Sequence, residues 1–146
     1  MIIDDAFDVD APLERVWPVL TDVPRVAGCI PNAVVTETVD DKTYRAKVSV
    51  KVGPVSISYN ATIFVESFDE PTHTATLRVQ GDDTKGRGGV RATIVSRLVP
   101  RDGKTHVELH TDSQISGIIA SVGGRLIEGV AKKTIAEFAQ RLSKLV

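Results

Sequence analysis

The sequence predicts an α+β fold in which a curved antiparallel sheet of about seven strands wraps around one long C-terminal helix, with two short helices near the N-terminus. Three observations predict it. Two tight-turn signals, Gly53-Pro54 and Asp102-Gly103, set strand registers that place uncharged residues opposite one another on one face. From Ala33 to Ile115 apolar residues recur with period two. After Gly117 the period becomes helical and stays so to the end of the chain.

Taken in order, Ile3 to Val9 forms a short strand. Asp10, Pro12 and Glu14 then mark a helix start by a capping acid, an early proline and an acidic first turn, so the first helix covers Pro12 to Thr21. Pro18 removes one of its backbone bonds and bends or shortens it. Asp22 with Pro24 opens a second short helix ending near Gly28. Strands follow at Ala33 to Val39, Tyr44 to Val52, Val55 to Ser67, Thr74 to Gln80, Gly89 to Val99 and Thr105 to Ile115.

A type II′ turn at Gly53-Pro54 pairs Val52 with Val55, Val50 with Ile57, Val48 with Tyr59, Ala46 with Ala61 and Tyr44 with Ile63 on the dry face. Arg45, Lys47, Ser49 and Lys51 then lie opposite Thr62, Asn60, Ser58 and Ser56 on the wet one. A type I′ turn at Asp102-Gly103 pairs Leu98 with Val107, Ile94 with Thr111 and Val90 with Ile115, and sets Arg97 against Glu108 outside. The last helix runs from Ile118 to Leu145, roughly 40 Å at about 1.5 Å per residue, long enough to cross the sheet. A sheet curved around one helix is a helix-grip architecture.

Composition narrows the partners. A chain of 146 residues fits a single domain, 1–146, which buries roughly two thirds of its unfolded surface without help from metal or disulfide. The net charge of −1 and a pI near 6.3 leave no electrostatic footprint for nucleic acid. Cys29 is the single cysteine, and Met1 to Asp10 lacks the basic start and apolar core of a signal peptide, so the cytoplasm is the default compartment. No apolar run reaches the roughly 18 to 20 residues of a spanning helix, so any membrane contact is expected to be peripheral, transient or supplied by sequence outside this one.

What fills the concave face decides function. Its predicted residues include Ala46, Ala61, Ala75, Ala92, Thr111 and Ser113, the helix offers Ala120, Gly123, Gly129 and Ala131, and the chain has only four Phe and one Trp. Interiors pack to a density of about 0.75, so either the helix sits very close or a void remains. The void would be an apolar pocket lined by Val26, Ile30, Ala46, Val48, Tyr59, Ile63, Leu77, Val90, Ala92, Ile94, Leu109, Thr111, Ser113, Ile119, Val122, Gly123, Leu126 and Val130. Hydroxyls of Tyr59, Thr111 and Ser113 would orient a polar head group. Its mouth is expected between Val26 to Ile30, the Gly81 to Gly89 loop and the start of the last helix. Glycines 86, 88 and 89 either let that loop move or serve an ordinary hairpin loop.

Other chemistry is weaker. His106, Glu108 and His110 share the outer strand face, but the two histidines are about 13 Å apart in a straight strand, too far for one metal ion. Cys29 has no histidine predictably near it and reads as a small core residue. Gly86, Gly88 and Gly89 lack the context of a phosphate loop. Asp4, Asp5, Asp8 and Asp10 read as guards of an edge strand, and Trp17 as the anchor of the first helix. Arg125, Lys132, Lys133, Arg141 and Lys144 form a solvated helix face or a contact for anionic lipid.

Two motifs carry a family resemblance. Asp10-Ala-Pro-Leu-Glu-Arg-Val-Trp17, Leu20-Thr-Asp22 and Ala27-Gly-Cys-Ile-Pro-Asn-Ala33, followed by the basic, valine-rich hairpin Lys47-Val-Ser-Val-Lys-Val-Gly-Pro-Val55 with Tyr59 and Ala61, resemble the carbon monoxide dehydrogenase CoxG family of the START-like SRPBCC superfamily. The resemblance spans essentially the whole chain. Asn32 stands where the family commonly has Gly.

The resemblance implies a START/Bet v 1-like fold with a hydrophobic cavity and a non-catalytic accessory role. It implies membrane recruitment of a molybdenum-containing carbon monoxide dehydrogenase, and a lipophilic ligand such as menaquinone or a related quinone, with no catalytic cofactor. It also implies a membrane-binding tail beyond the helix. Two other readings stay open: a polyketide cyclase-like enzyme, which would need ionisable groups inside, and a docking protein without ligand.

Overall fold

The computed structural model describes residues 1–146. Its elements are β1 (Ile2–Val9), α1 (Leu13–Leu20), α2 (Val23–Ala27), β2 (Ala33–Asp40), β3 (Thr43–Val52), β4 (Val55–Asp69), β5 (Thr74–Asp83), β6 (Gly89–Arg101), β7 (Lys104–Ile115) and α3 (Gly124–Leu145). The seven strands form one antiparallel sheet in the order β1-β7-β6-β5-β4-β3-β2. Both hairpin registers are those the turns predict: Val52 pairs with Val55 through to Tyr44 with Ile63, and Val90 pairs with Ile115 through to Leu98 with Val107. Gly53 has φ +58°, and Asp102 and Gly103 have φ +52° and +78°, as turns of those types require. Asn32 has φ +60°. Asparagine tolerates that left-handed conformation, which explains why it can stand at a position suited to glycine.

Strands β5 and β6 run on to Asp83 and Arg101, beyond the predicted ends at Gln80 and Val99. β4 absorbs a bulge between Val65 and Ser67 and continues to Asp69. α1 passes through Pro18 without a break, and Pro18 faces solvent. The expected Asp10 cap is not made, because the N-cap position falls on Pro12. Asp22 does cap α2, accepting from the Arg25 N–H at 3.4 Å.

The largest correction concerns the last helix. It starts at Gly124, not Ile118, and its 22 residues span about 33 Å at about 1.5 Å per residue. Residues Ala120–Val122 form a separate 3₁₀ turn, and Gly123 breaks the path at φ +96°, ψ 151°. The break turns Ile119 into the core beside Val52, Ile57 and Tyr59. Within α3 the inward stripe is Ile127, Val130, Ala131, Thr134, Ile135, Phe138 and Leu142; Val130, Ile135, Phe138 and Leu142 are the residues that helical periodicity predicts there.

Two apolar cores result. The larger joins α1 and α2, through Val16, Trp17, Leu20 and Val26, to Leu98, Val107 and the far end of α3 at Leu142. Trp17 anchors α1 by edge-to-face contacts with Phe68 and His73. The smaller core holds Val52, Ile57, Tyr59 and Ile119 at the opposite end of the sheet. Between them Ile63, Leu77, Ala92 and Ile94 lie on the concave face, belong to neither core and are only half-buried.

Candidate functional site

A cavity of about 300 Å³ lies beneath the first half of α3, and eleven of its thirteen lining residues are apolar. The sheet contributes Ile3, Val50, Val52, Tyr59, Val90, Thr111 and Ile115, the connection contributes Ile119, and α3 contributes Ile127, Val130, Ala131, Thr134 and Ile135. Larger depressions of about 440, 480 and 530 Å³ lie elsewhere, but their linings are mostly polar or charged.

Local sequence explains the lining. Alternation turns Val50 and Val52 inward while Ser49 and Lys51 face out. Small Ala131 on α3 leaves space that a larger residue would occupy. Few polar atoms face the space. Thr134 spends its hydroxyl on the Val130 carbonyl at 2.9 Å, leaving Thr111 and Tyr59. Burial pushes the Tyr59 hydroxyl above its ordinary pKa, and the Asp83 carboxylate adds to the shift, so the phenol stays protonated and able to donate.

Asp83, the β5 partner of Tyr59, organises the neighbouring loop. Its side chain is fully buried and accepts from Lys85 N–H at 3.1 Å, Arg87 N–H at 3.0 Å and Arg87 Nε at 2.6 Å. The hydrogen bond from Arg87 is the main cause that holds this carboxyl below its ordinary range. Arg87's carbonyl in turn accepts from Ile118 N–H at 3.0 Å, and the Ser116 hydroxyl accepts from Gly89 N–H at 3.1 Å. Two of the loop-region glycines are therefore explained by close approach: a Cβ on Gly88 would meet the Ser116 carbonyl oxygen at 2.3 Å, and one on Gly117 the Arg87 oxygen at 1.7 Å. The Gly81 to Gly89 segment, which composition alone leaves open to movement, is knitted to the start of the last connection.

Of the residues expected around the pocket, the structure brings Tyr59, Val90, Thr111, Ile119 and Val130 together at the cavity. Ala46, Val48, Ile63, Leu77, Ala92, Ile94 and Leu109 lie farther along the same concave face. Ser113 is buried, but its hydroxyl donates to the Met1 carbonyl at 3.1 Å. Val26 belongs to the larger core, and Ile30 is half-buried beyond α2. Val122 packs on the smaller core, while Gly123 is exposed at the break. Leu126 is 47 % exposed, next to Gly53 at the hairpin tip, while its neighbour Ile127 lines the cavity.

The lining residues absent from the expected set have identifiable signals. Val50, Val52 and Ile115 are inward by register. Ala131 and Ile135 lie on the face that helical periodicity turns toward the sheet, and Ile127 and Thr134 flank them at i, i+3 and i+4 spacings. Ile3 depends on the β1–β7 pairing, which no turn announces.

The other candidates take structural places. His106 Nδ1 and Asp8 Oδ1 are 2.7 Å apart, and His110 Nδ1 and Asp4 Oδ1 are 2.5 Å apart, tying β7 to β1 at the sheet edge. The bond from His106 is the main cause that lowers Asp8 below its ordinary pKa. Cys29 is buried, and burial pushes its thiol up, away from the reactive thiolate.

The sequence profile of the family described by the CoxG subunit of carbon monoxide dehydrogenase matches residues 6–146. The chain belongs to the CoxG family. Among curated proteins none matches this sequence. Solved structures do: a conserved protein from Geobacillus kaustophilus is 27 % identical, with TM-score 0.87 over 99 % of this chain and 93 % of that one. The ZhuI aromatase/cyclase from Streptomyces sp. R1128 is 15 % identical, with TM-score 0.67 over 99 % of this chain and 92 % of its own. A START superfamily protein from Mycobacterium smegmatis is 15 % identical, with TM-score 0.65 over 98 % and 94 %. The last two establish the helix-grip fold alone. No helix of this CoxG-family chain is long and apolar enough to cross a membrane.

Proposed function

We propose that this CoxG-family protein is a non-catalytic carrier that holds a lipophilic small molecule, with a quinone such as menaquinone the favoured ligand, and serves a molybdenum-containing carbon monoxide dehydrogenase or similar redox enzyme. The observation that supports it most is the apolar cavity under α3, whose unengaged polar groups are the hydroxyls of Tyr59 and Thr111. At about 300 Å³ it stands at the low end of small-molecule sites, which run from roughly 300 to 1,000 Å³. That suits a ring or part of a prenyl tail rather than a whole long-chain quinone. Each methylene buried contributes about 0.8 kcal/mol, enough for a few isoprene carbons to compete with lipid. A soluble enzyme cannot readily reach a quinone whose tail stays in a bilayer, and a carrier with an apolar hollow bridges the two phases.

A second reading is an enzyme acting on an aromatic polyketide, the chemistry that the name of the ZhuI aromatase/cyclase gives to another protein of this fold. Acid–base work needs ionisable groups at the reacting atoms. The cavity lining offers one tyrosine and no carboxylate, histidine or lysine, which favours the carrier. Solvent extraction of the purified protein followed by mass spectrometry separates the readings. Copurifying quinone or another prenyl lipid is the expected result; a bound aromatic polyketide would replace the carrier with the enzyme, and an empty protein that takes up no added quinone would leave a docking role.

A further inference from the structure

The outer side of the β3–β4 hairpin carries a second depression, of about 480 Å³, that the carrier reading does not use. Register builds its floor: Ser49 pairs with Ser58 and Lys51 with Ser56, and the Ser49 and Ser58 hydroxyls stand 3.4 Å apart. Asn32 forms one wall, its carbonyl accepting from Ser49 N–H at 3.0 Å. Thr84 and Lys85 form the other, carried there by the Thr84 N–H, which donates to the Ser58 carbonyl at 2.9 Å. Asp83 fixes that wall and neutralises Arg87. Neither Lys51 nor Lys85 takes part in an ion pair. No carboxylate lines the trough, and Asp82 belongs to the adjacent depression.

Two lysines without ion pairs, sharing one lining with serine and threonine side chains and no carboxylate, make a donor set for an oxyanion. Its shape selects among oxyanions. A planar carboxylate is best met by the fork of a free arginine, whereas ammonium point charges and scattered hydroxyls suit a tetrahedral group with oxygens in several directions. We propose that this trough binds the phosphate of a phosphate ester, whether a phospholipid head group or a soluble phosphate. Val50 lines both trough and cavity, so the two sites lie back to back at one end of the sheet. The assignment stands on its own residues and survives if the cavity carries nothing.

The test is an amide NMR titration of the full chain with inorganic phosphate, beside cosedimentation with phosphatidylcholine vesicles with and without phosphatidylglycerol. We expect saturable shifts at Ser49, Ser56, Ser58, Thr84 and Lys85, cosedimentation with the anionic vesicles, or both. Shifts with phosphate alone identify a soluble ester, and binding only to phosphatidylglycerol vesicles identifies the head group. Lys51→Gln with Lys85→Gln, both at the surface and expected to leave the thermal midpoint unchanged, weakens binding at least about tenfold. Ser58→Ala, which keeps every charge, weakens it by less. Absence of binding in both arms, wild-type binding by the double variant, or equal shifts with a dicarboxylate such as glutarate would overturn the site. Filling the cavity with Ala131→Phe leaves this binding unchanged, which keeps its failure separate from that of the carrier.

Discussion

Gly117 and Gly86 both have positive φ, yet they differ in what a methyl group would meet. A Cβ on Gly117 would overlap the Arg87 carbonyl at 1.7 Å, while one on Gly86 meets nothing within 4 Å. Gly117→Ala is therefore expected to cost at least about 3 kcal/mol in denaturant unfolding, against about 1 kcal/mol for Gly86→Ala. Asp83 makes a second residue-scale prediction. Its folded pKa lies below the ordinary value of 3.8, so the stability it contributes is present above that value and is lost as pH falls through the lower, folded one. Asp83→Asn should melt at a lower temperature than wild type at pH 7, and the difference should close as pH falls below the ordinary value of 3.8; a gap that persists in acid would remove the charge from the explanation. Asp8, lowered mainly by its bond from His106, follows the same sign at the exposed sheet edge. At this scale the sequence was least legible. The glycines near residue 88 signal a special backbone, but composition cannot distinguish a moving loop from two strands' worth of backbone pressed together.

Among the elements, the hairpins were the most legible, because a two-residue turn and strict alternation leave one register that keeps the charged residues on one side. Helix α3 was legible in existence and, from Val130 to Leu142, in its inward face, but not in where it starts. Its stripe looks continuous through Ile119, Val122 and Leu126, and only the geometry at Gly123 shows that Ile119 and Ile127 face inward from separate elements. α3 is docked on β1 by Phe138, which meets Phe7 edge-to-face at 5.9 Å. Fully buried Phe→Ala changes cost roughly 3–5 kcal/mol, and Phe138 is half-buried. Phe138→Ala is thus expected to cost about 2–3 kcal/mol, read from the shift in urea midpoint at constant m-value. A loss under about 0.5 kcal/mol would mean that α3 is held elsewhere.

At the scale of the molecule, the shortage of large side chains on the concave face was readable in advance, whereas the position of the hollow was not. Side-chain volume predicts that space must remain; where it collects depends on how α1, α2 and α3 share the sheet. Here α1 and α2 fill one end with Trp17 and its neighbours, and the space remains under the first half of α3. The most direct measurement is the binding of a short-chain menaquinone by wild-type protein and by Ala131→Phe, with circular dichroism showing both folded. Wild type is expected to bind one quinone per chain, and the variant, whose ring occupies the cavity, at least about tenfold more weakly. Equal binding by the two proteins, or none by wild type, would contradict the assignment of this cavity to a lipophilic guest.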